Sequence, residues 1–145
     1  MDEKGKEENS LIIMPKKGLT IDNHQLLFGD SQEDIVKIIG KADKIYKTDE
    51  ENIRWQYYDF LIELSFEREN SYTLGWIEVY NKKATIFNQN IIGNNKKNIL
   101  KLFNNNLSKE FENEDYGSFE TTFYTKDWIE LQFQFNLLHN INFGS

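Results

Sequence analysis

The chain has 145 residues, enough for one domain with a proper core, and 14% of them are aromatic. It contains no cysteine, which excludes disulfides, thiolate catalysis and cysteine-based zinc sites. Its net charge of −7 is unevenly spread: residues 18–81 carry 13 acids against six bases, whereas residues 82–145 carry seven of each.

No segment gathers the basic stripe needed to displace phosphate counterions, so nucleic acid is not an expected partner. No run of 18 apolar residues exists, so no membrane-spanning helix is expected. The first residues, "MDEKGKEENS", are charged from position two and lack the apolar centre of a signal peptide. They point to a cytoplasmic chain, although one trimmed of a signal or lipoprotein leader would read the same way.

In chain order, residues 1–17 read as an N-terminal tail ending in "SLIIMPKK". Gly29-Asp30-Ser31 then supplies an N-cap, with Glu33 and Asp34 where the helix dipole favours acids. Ile35, Ile38 and Ile39 form a one-sided stripe, and Gly40 is a natural stop. "DEEN" (49–52) reads as an acidic turn, and "NIRWQYY" (52–58) as a strand turning near Asp59. "FLIELSF" (60–66) alternates, with Phe60, Ile62, Leu64 and Phe66 on one face and Leu61, Glu63 and Ser65 on the other. A further strand at 74–80 turns Ile77 and Val79 inward and Trp76, Glu78 and Tyr80 outward.

The second half follows the same order. "GNNKKNILKLFN" (93–104) has Asn94 or Asn95 as cap and Ile99, Leu102 and Phe103 as stripe, with Lys96 and Lys97 unfavourably near the positive terminus. "ENED" (112–115) reads as another acidic turn. "SFETTFY" (118–124) and "WIELQFQF" (128–135) read as a hairpin, and 138–143 as a closing strand. At an offset of 64, Gly29 falls on Gly93, Ile35 on Ile99, and "LGWIEV" (74–79) on "LHNINF" (138–143). Two copies, residues 18–81 and 82–145, are therefore expected to build one compact domain. The expected fold is α+β: two tandem helix-plus-three-strand units forming one antiparallel sheet of about six strands, with both helices on one face.

The order "G-x-S-x-E-D-I/V-x-x-I-I-G", then "W-x-Y", then "L-x-F" resembles the β-lactamase-inhibitor-protein-like repeat, whose unit is similar to one in small outer-membrane assembly lipoproteins. The matching residues are Gly29, Ser31, Glu33, Ile35, Ile39 and Gly40, then Trp55 and Tyr57, then Leu64 and Phe66. The resemblance implies a tandem α+β protein that grips another protein with its uncovered sheet face. The secreted inhibitors carry disulfides and signal peptides and the lipoproteins a lipidated cysteine, all missing here. An intracellular bacterial immunity-type protein is the nearest analogy.

The search for chemistry is mostly negative. His24 and His139 have no triad or metal-ligand spacing around them and read as local packing or capping. Glu63, Glu67 and Glu78 share the outward face, where paired carboxylates do acid/base work only inside a cleft. No glycine-rich phosphate loop or calcium loop is present. No enzyme, no cofactor and no metal are expected.

The open face is the stronger candidate. Arg54, Tyr58, Glu63, Trp76, Glu78 and Tyr80 from the first copy join Trp128, Glu130 and Gln132 from the second. Trp, Tyr and Arg are the residues most often found as binding hot spots. The competing reading packs these aromatics under loops or against "SLIIMP". The expected function is a non-catalytic protein-binding module of the immunity or inhibitor type, with a basic toxin or enzyme as partner and a monomer or homodimer as its own state. The alternative is a small-ligand or enzymatic domain using carboxylates between the copies.

Overall fold

A computed structural model describes residues 10–145; residues 1–9, the first part of the expected tail, lie outside the described residues. The chain starts with β1 (Leu11–Met14), in which buried Leu11 and Ile13 alternate with exposed Ile12. β2 (Gly18–Ile21) and β3 (His24–Leu27) follow as antiparallel neighbours. Residues 10–17 therefore include a core strand, where a tail was expected.

Helix α1 (Gln32–Ile39) begins at Ser31, whose Oγ accepts from the Asp34 N–H at 3.1 Å while Asp34 Oδ2 accepts from the Ser31 N–H at 3.2 Å. Ile35 is its fully buried residue, and the N–H of Gly40 closes the last turn on Val36 O. β4 (Lys44–Lys47), β5 (Ile53–Tyr57), β6 (Ile62–Glu67) and β7 (Thr73–Val79) then form an antiparallel meander. A second series repeats the order: β8 (Ala84–Ile86), β9 (Gln89–Asn90), α2 (Lys96–Asn106), β10 (Phe111–Asp115), β11 (Glu120–Tyr124), β12 (Ile129–Gln134) and β13 (Leu137–Gly144). Gly29 N–H donates to Leu74 O at 2.9 Å, and Gly93 N–H donates to Leu138 O at 2.8 Å. Each helix is thereby tied to the last strand of its own meander.

The strands make two sheets. The smaller has the order β3-β2-β1-β8-β9, with β1 and β8 parallel. The larger has the order β10-β11-β12-β13-β7-β6-β5-β4, so the two meanders meet where β13 pairs with β7. Each meander carries one bulge. Phe66 faces Leu74 while Ser65 faces Trp76, leaving Gly75 over, and Phe133 faces Leu138 while Gln132 faces Asn140, leaving His139 over.

One core joins all layers: Leu64, Ile77, Leu131 and Ile141 from the large sheet, Leu11, Leu19 and Ile86 from the small one, and Ile35, Ile99 and Phe103 from the helices. This corrects the expected architecture. The protein is mostly β, with sheets of five and eight strands and two helices among the described residues. It is not a six-stranded sheet with helices, nor a tandem helix-plus-three-strand unit. Helices of 8 and 11 residues present too little apolar surface to cover eight strands, and the small sheet does that work with them.

Two strands were hidden by their charge. β10, "FENED", is exposed along its whole length and lacks the one-sided apolar pattern that marks a strand, so its acids read as a turn. β4, "KIYK", is likewise an edge strand with Lys at both ends, a composition that discourages edge-to-edge pairing.

Candidate functional site: the open face of the large sheet

The face of the large sheet turned away from the core is set by strand register. Gln56, Glu63, Glu78, Asn142, Glu130 and Phe123 are successive partners across β5, β6, β7, β13, β12 and β11. Five strand spacings amount to roughly 24 Å in a flat sheet. Yet a single cavity of about 340 Å³ touches residues from β5 through to β11, among them Arg54, Glu63, Trp76, Glu78, Phe123, Glu130 and Asn142. Side chains from six neighbouring strands therefore border one groove across this face.

At one side of the cavity Glu63 is 7% exposed and its charge is well met. It accepts from Tyr46 Oη at 2.9 Å, from Arg54 Nη1 at 3.0 Å and from Gln56 Nε2 at 2.7 Å. Burial works against the Arg54 charge, but the hydrogen bond and charge of Glu63 outweigh it and hold the guanidinium protonated. Burial, with the Glu63 carboxylate beside it, also pushes the Tyr46 hydroxyl upward.

Glu78 and Glu130 are differently placed. Asn140 Nδ2 donates to Glu78 Oε2 at 3.1 Å, and Asn142 Nδ2 donates to Glu130 Oε1 at 3.0 Å. Burial raises the Glu78 carboxyl above its usual range; the Tyr80 hydrogen bond opposes this, and the neighbouring Glu63 charge adds to it. Tyr80 is itself pushed well up by burial and by Glu78.

The aromatic wall is formed by Trp76, whose ring centroid lies 6.0 Å from that of Trp128 at an interplanar angle of 57°. Trp128 does not sit in a strand as expected. It occupies the turn before β12 with φ of 57° and is 45% exposed, so it flanks the cavity from outside. Phe60 likewise lies in a turn, packed at the edge of the core.

Of the expected face residues, Arg54, Glu63, Trp76, Glu78 and Glu130 line this cavity. Tyr58 and Tyr80 instead border a neighbouring hollow of about 230 Å³ that shares Glu63, and Tyr80 packs edge-on against His139 at 5.6 Å. Gln132 is on the same face, opposite Thr121 and Asn140, but away from the cavity. Asn140, Asn142, Phe123, Tyr46 and Gln56 were not anticipated. Asn140 and Asn142 had a usable signal: they alternate with Leu138, Ile141 and Phe143 near a bulge.

Among the described residues, no three acidic or imidazole groups converge closely enough to hold a metal ion. No helix among them is long and apolar enough to cross a membrane.

No protein-family description matches the sequence, and no curated protein matches it. The fold is similar to the 1.5 Å crystal structure of an extracellular protein containing an SCP domain from Bacillus anthracis strain Ames, with a TM-score of 0.55 and 14% identity over 92% of this chain. The chain spans about half of that protein, 50% of its length. At that identity the likeness is one of fold alone. It lends no support to the β-lactamase-inhibitor-like resemblance.

Proposed function

We propose that this chain is a non-catalytic module that binds another protein across the grooved open face of its large sheet. The observation that carries the reading is the cavity at the β13–β7 junction, walled by Trp76 and flanked by exposed Trp128. A tryptophan pair at the rim of a concave, polar-lined depression has the composition of a binding hot spot. Rigid strands on both sides hold it in place before any partner arrives.

The structural neighbour is described as extracellular, which runs against the cytoplasmic expectation. An extracellular setting is the one we adopt, and the immunity-type reading is not carried forward. The acidic cavity favours a partner with basic surface, attracted at long range and fixed by the aromatic pair.

The test compares proteins crosslinked to the intact chain with those crosslinked to Trp128→Ala. Trp128 is partly exposed, so its loss should leave unfolding unchanged and abolish the specific crosslink. Retention of the same partner by a folded Trp128→Ala chain overturns the reading. Sedimentation at several concentrations separates a foreign partner from a second copy on the same face.

A second reading has its own observation. Glu63 and Glu78 do line a common cavity between the meanders, and its volume is at the small end of ligand sites. A metabolite that copurifies with the chain, seen by native mass spectrometry and lost in Glu78→Gln, would favour a small-ligand function.

A further inference from the structure

We propose that the cavity is a socket for one basic side chain, an arginine or lysine, presented by the protein that docks on the open face; the proposal rests on the docking reading above.

Charge is the first argument. Arg54 is the cation of the cavity, and its Nη1 is committed to Glu63 at 3.0 Å. Of the other carboxylates lining the cavity, Glu67 accepts from Ser65 Oγ, Glu78 from Asn140 and Tyr80, and Glu130 from Asn142, all neutral donors. Three carboxylates thus share the depression with a single cation, Arg54, which acts on Glu78 at a distance but is hydrogen-bonded to Glu63, so a second cation entering the cavity meets an excess of negative charge.

Spacing is the second. Glu130 and Glu78 are the register partners of Asn142 on its two sides, so their backbones stand two strand spacings apart, roughly 10 Å. Among the described residues no three acidic or imidazole groups are placed to hold a metal ion. Carboxylates on the strands either side of β13 suit an elongated cation that can be contacted from both edges, as a guanidinium can.

The wall is the third. Gly144 faces Trp76 across the ladder, and the indole occupies the space a side chain there would fill, its Cδ2 and Cε2 2.8 and 2.9 Å from the position of a Cβ. The ring is thereby laid beside the carboxylates, where it can support a cation on its face and cover the apolar stem of a long side chain.

The test uses N-acetyl-arginine methylamide as probe, with N-acetyl-glutamine methylamide as its neutral counterpart, titrated into the full 15N-labelled chain. Expected are saturable shifts at the Trp76 indole N–H and the Asn142 amide with the arginine probe, weakened about tenfold in E78Q/E130Q and reduced by added salt. If the double variant does not fold, E130Q alone is read with the same signals. Equal shifts with the glutamine probe, or unchanged arginine binding in the folded variant, overturn the socket. Failure of the probe while Trp128→Ala still loses its protein partner sinks the socket and leaves the docking reading standing. Probe binding with partner capture intact in Trp128→Ala sinks the docking reading instead.

Discussion

Gly144 lies opposite Trp76 where the two meanders join, and a Cβ on Gly144 would stand 2.7 Å from Gly75 O and 2.8 Å from the indole. The backbone cannot retreat easily, because Gly144 N–H is also held by Trp128 O at 3.0 Å. Gly144→Ala is therefore expected to push the Trp76 ring off the sheet and open the cavity wall. Overpacking of this kind costs about 1–3 kcal/mol. A changed near-ultraviolet circular dichroism spectrum and a lower urea midpoint are the expected readouts. A wild-type spectrum would mean that the indole does not rest on Gly144.

Glu63 is the most heavily bonded carboxylate on the open face, with three donors on two oxygens. Glu63→Ala strands the Arg54 guanidinium, whose side chain is 35% exposed, together with the amide of Gln56. Partial exposure of Arg54 moderates the penalty to roughly 2–3 kcal/mol. Glu63→Gln keeps an acceptor oxygen and should lose roughly half as much. Urea denaturation of the two variants separates them. Equal, small losses would show that the network contributes little to stability.

The helix caps supply a local check. Ser31 and Asp34 bond reciprocally at the start of α1, whereas Asn95 Oδ1 accepts from the Asn98 N–H at 2.8 Å at the start of α2. Ser31→Ala should lower stability by about 1 kcal/mol, and Ser31→Asp should be nearly neutral. Thermal unfolding measures both. Lys96, at the unfavourable end of α2, is not idle: its Nζ lies 2.7 Å from Glu120 Oε1 on β11, which offsets the dipole penalty.

What could be read from the sequence followed the reach of local pattern. β6 and β12 showed because buried Ile62, Leu64 and Phe66, and Ile129, Leu131 and Phe133, alternate with outward residues. Both helix starts showed because Ser31 and Asn95 are cap residues followed by apolar stripes. β8 and β9 did not, since three and two residues cannot display a period. β1 was lost because "LIIM" beside a charged segment has no distinguishing pattern until β2 and β8 flank it. On the open face, Glu63, Glu78 and Glu130 were legible from alternation alone. Their grouping was not, because it depends on the β13–β7 pairing between residues about 62 apart, which is not local.

Glu78 gives the site a pH signature. Burial holds its carboxyl above the ordinary value of 4.5, so the folded protein binds this proton more tightly than the unfolded chain does. Below that value both states are protonated and the burial costs nothing through this group. As pH rises through the unfolded value and then the raised folded one, the buried charge appears and stability is lost. Glu78→Gln does not titrate, so its stability should match wild type near about pH 4 and exceed it increasingly toward about pH 7. Urea midpoints at both pH values provide the comparison, and a gap that stays constant would mean Glu78 titrates as if exposed. Saturating arginine probe at neutral pH should shrink the gap, because a cation bound beside Glu78 stabilises the ionised wild type and leaves the glutamine variant nearly untouched.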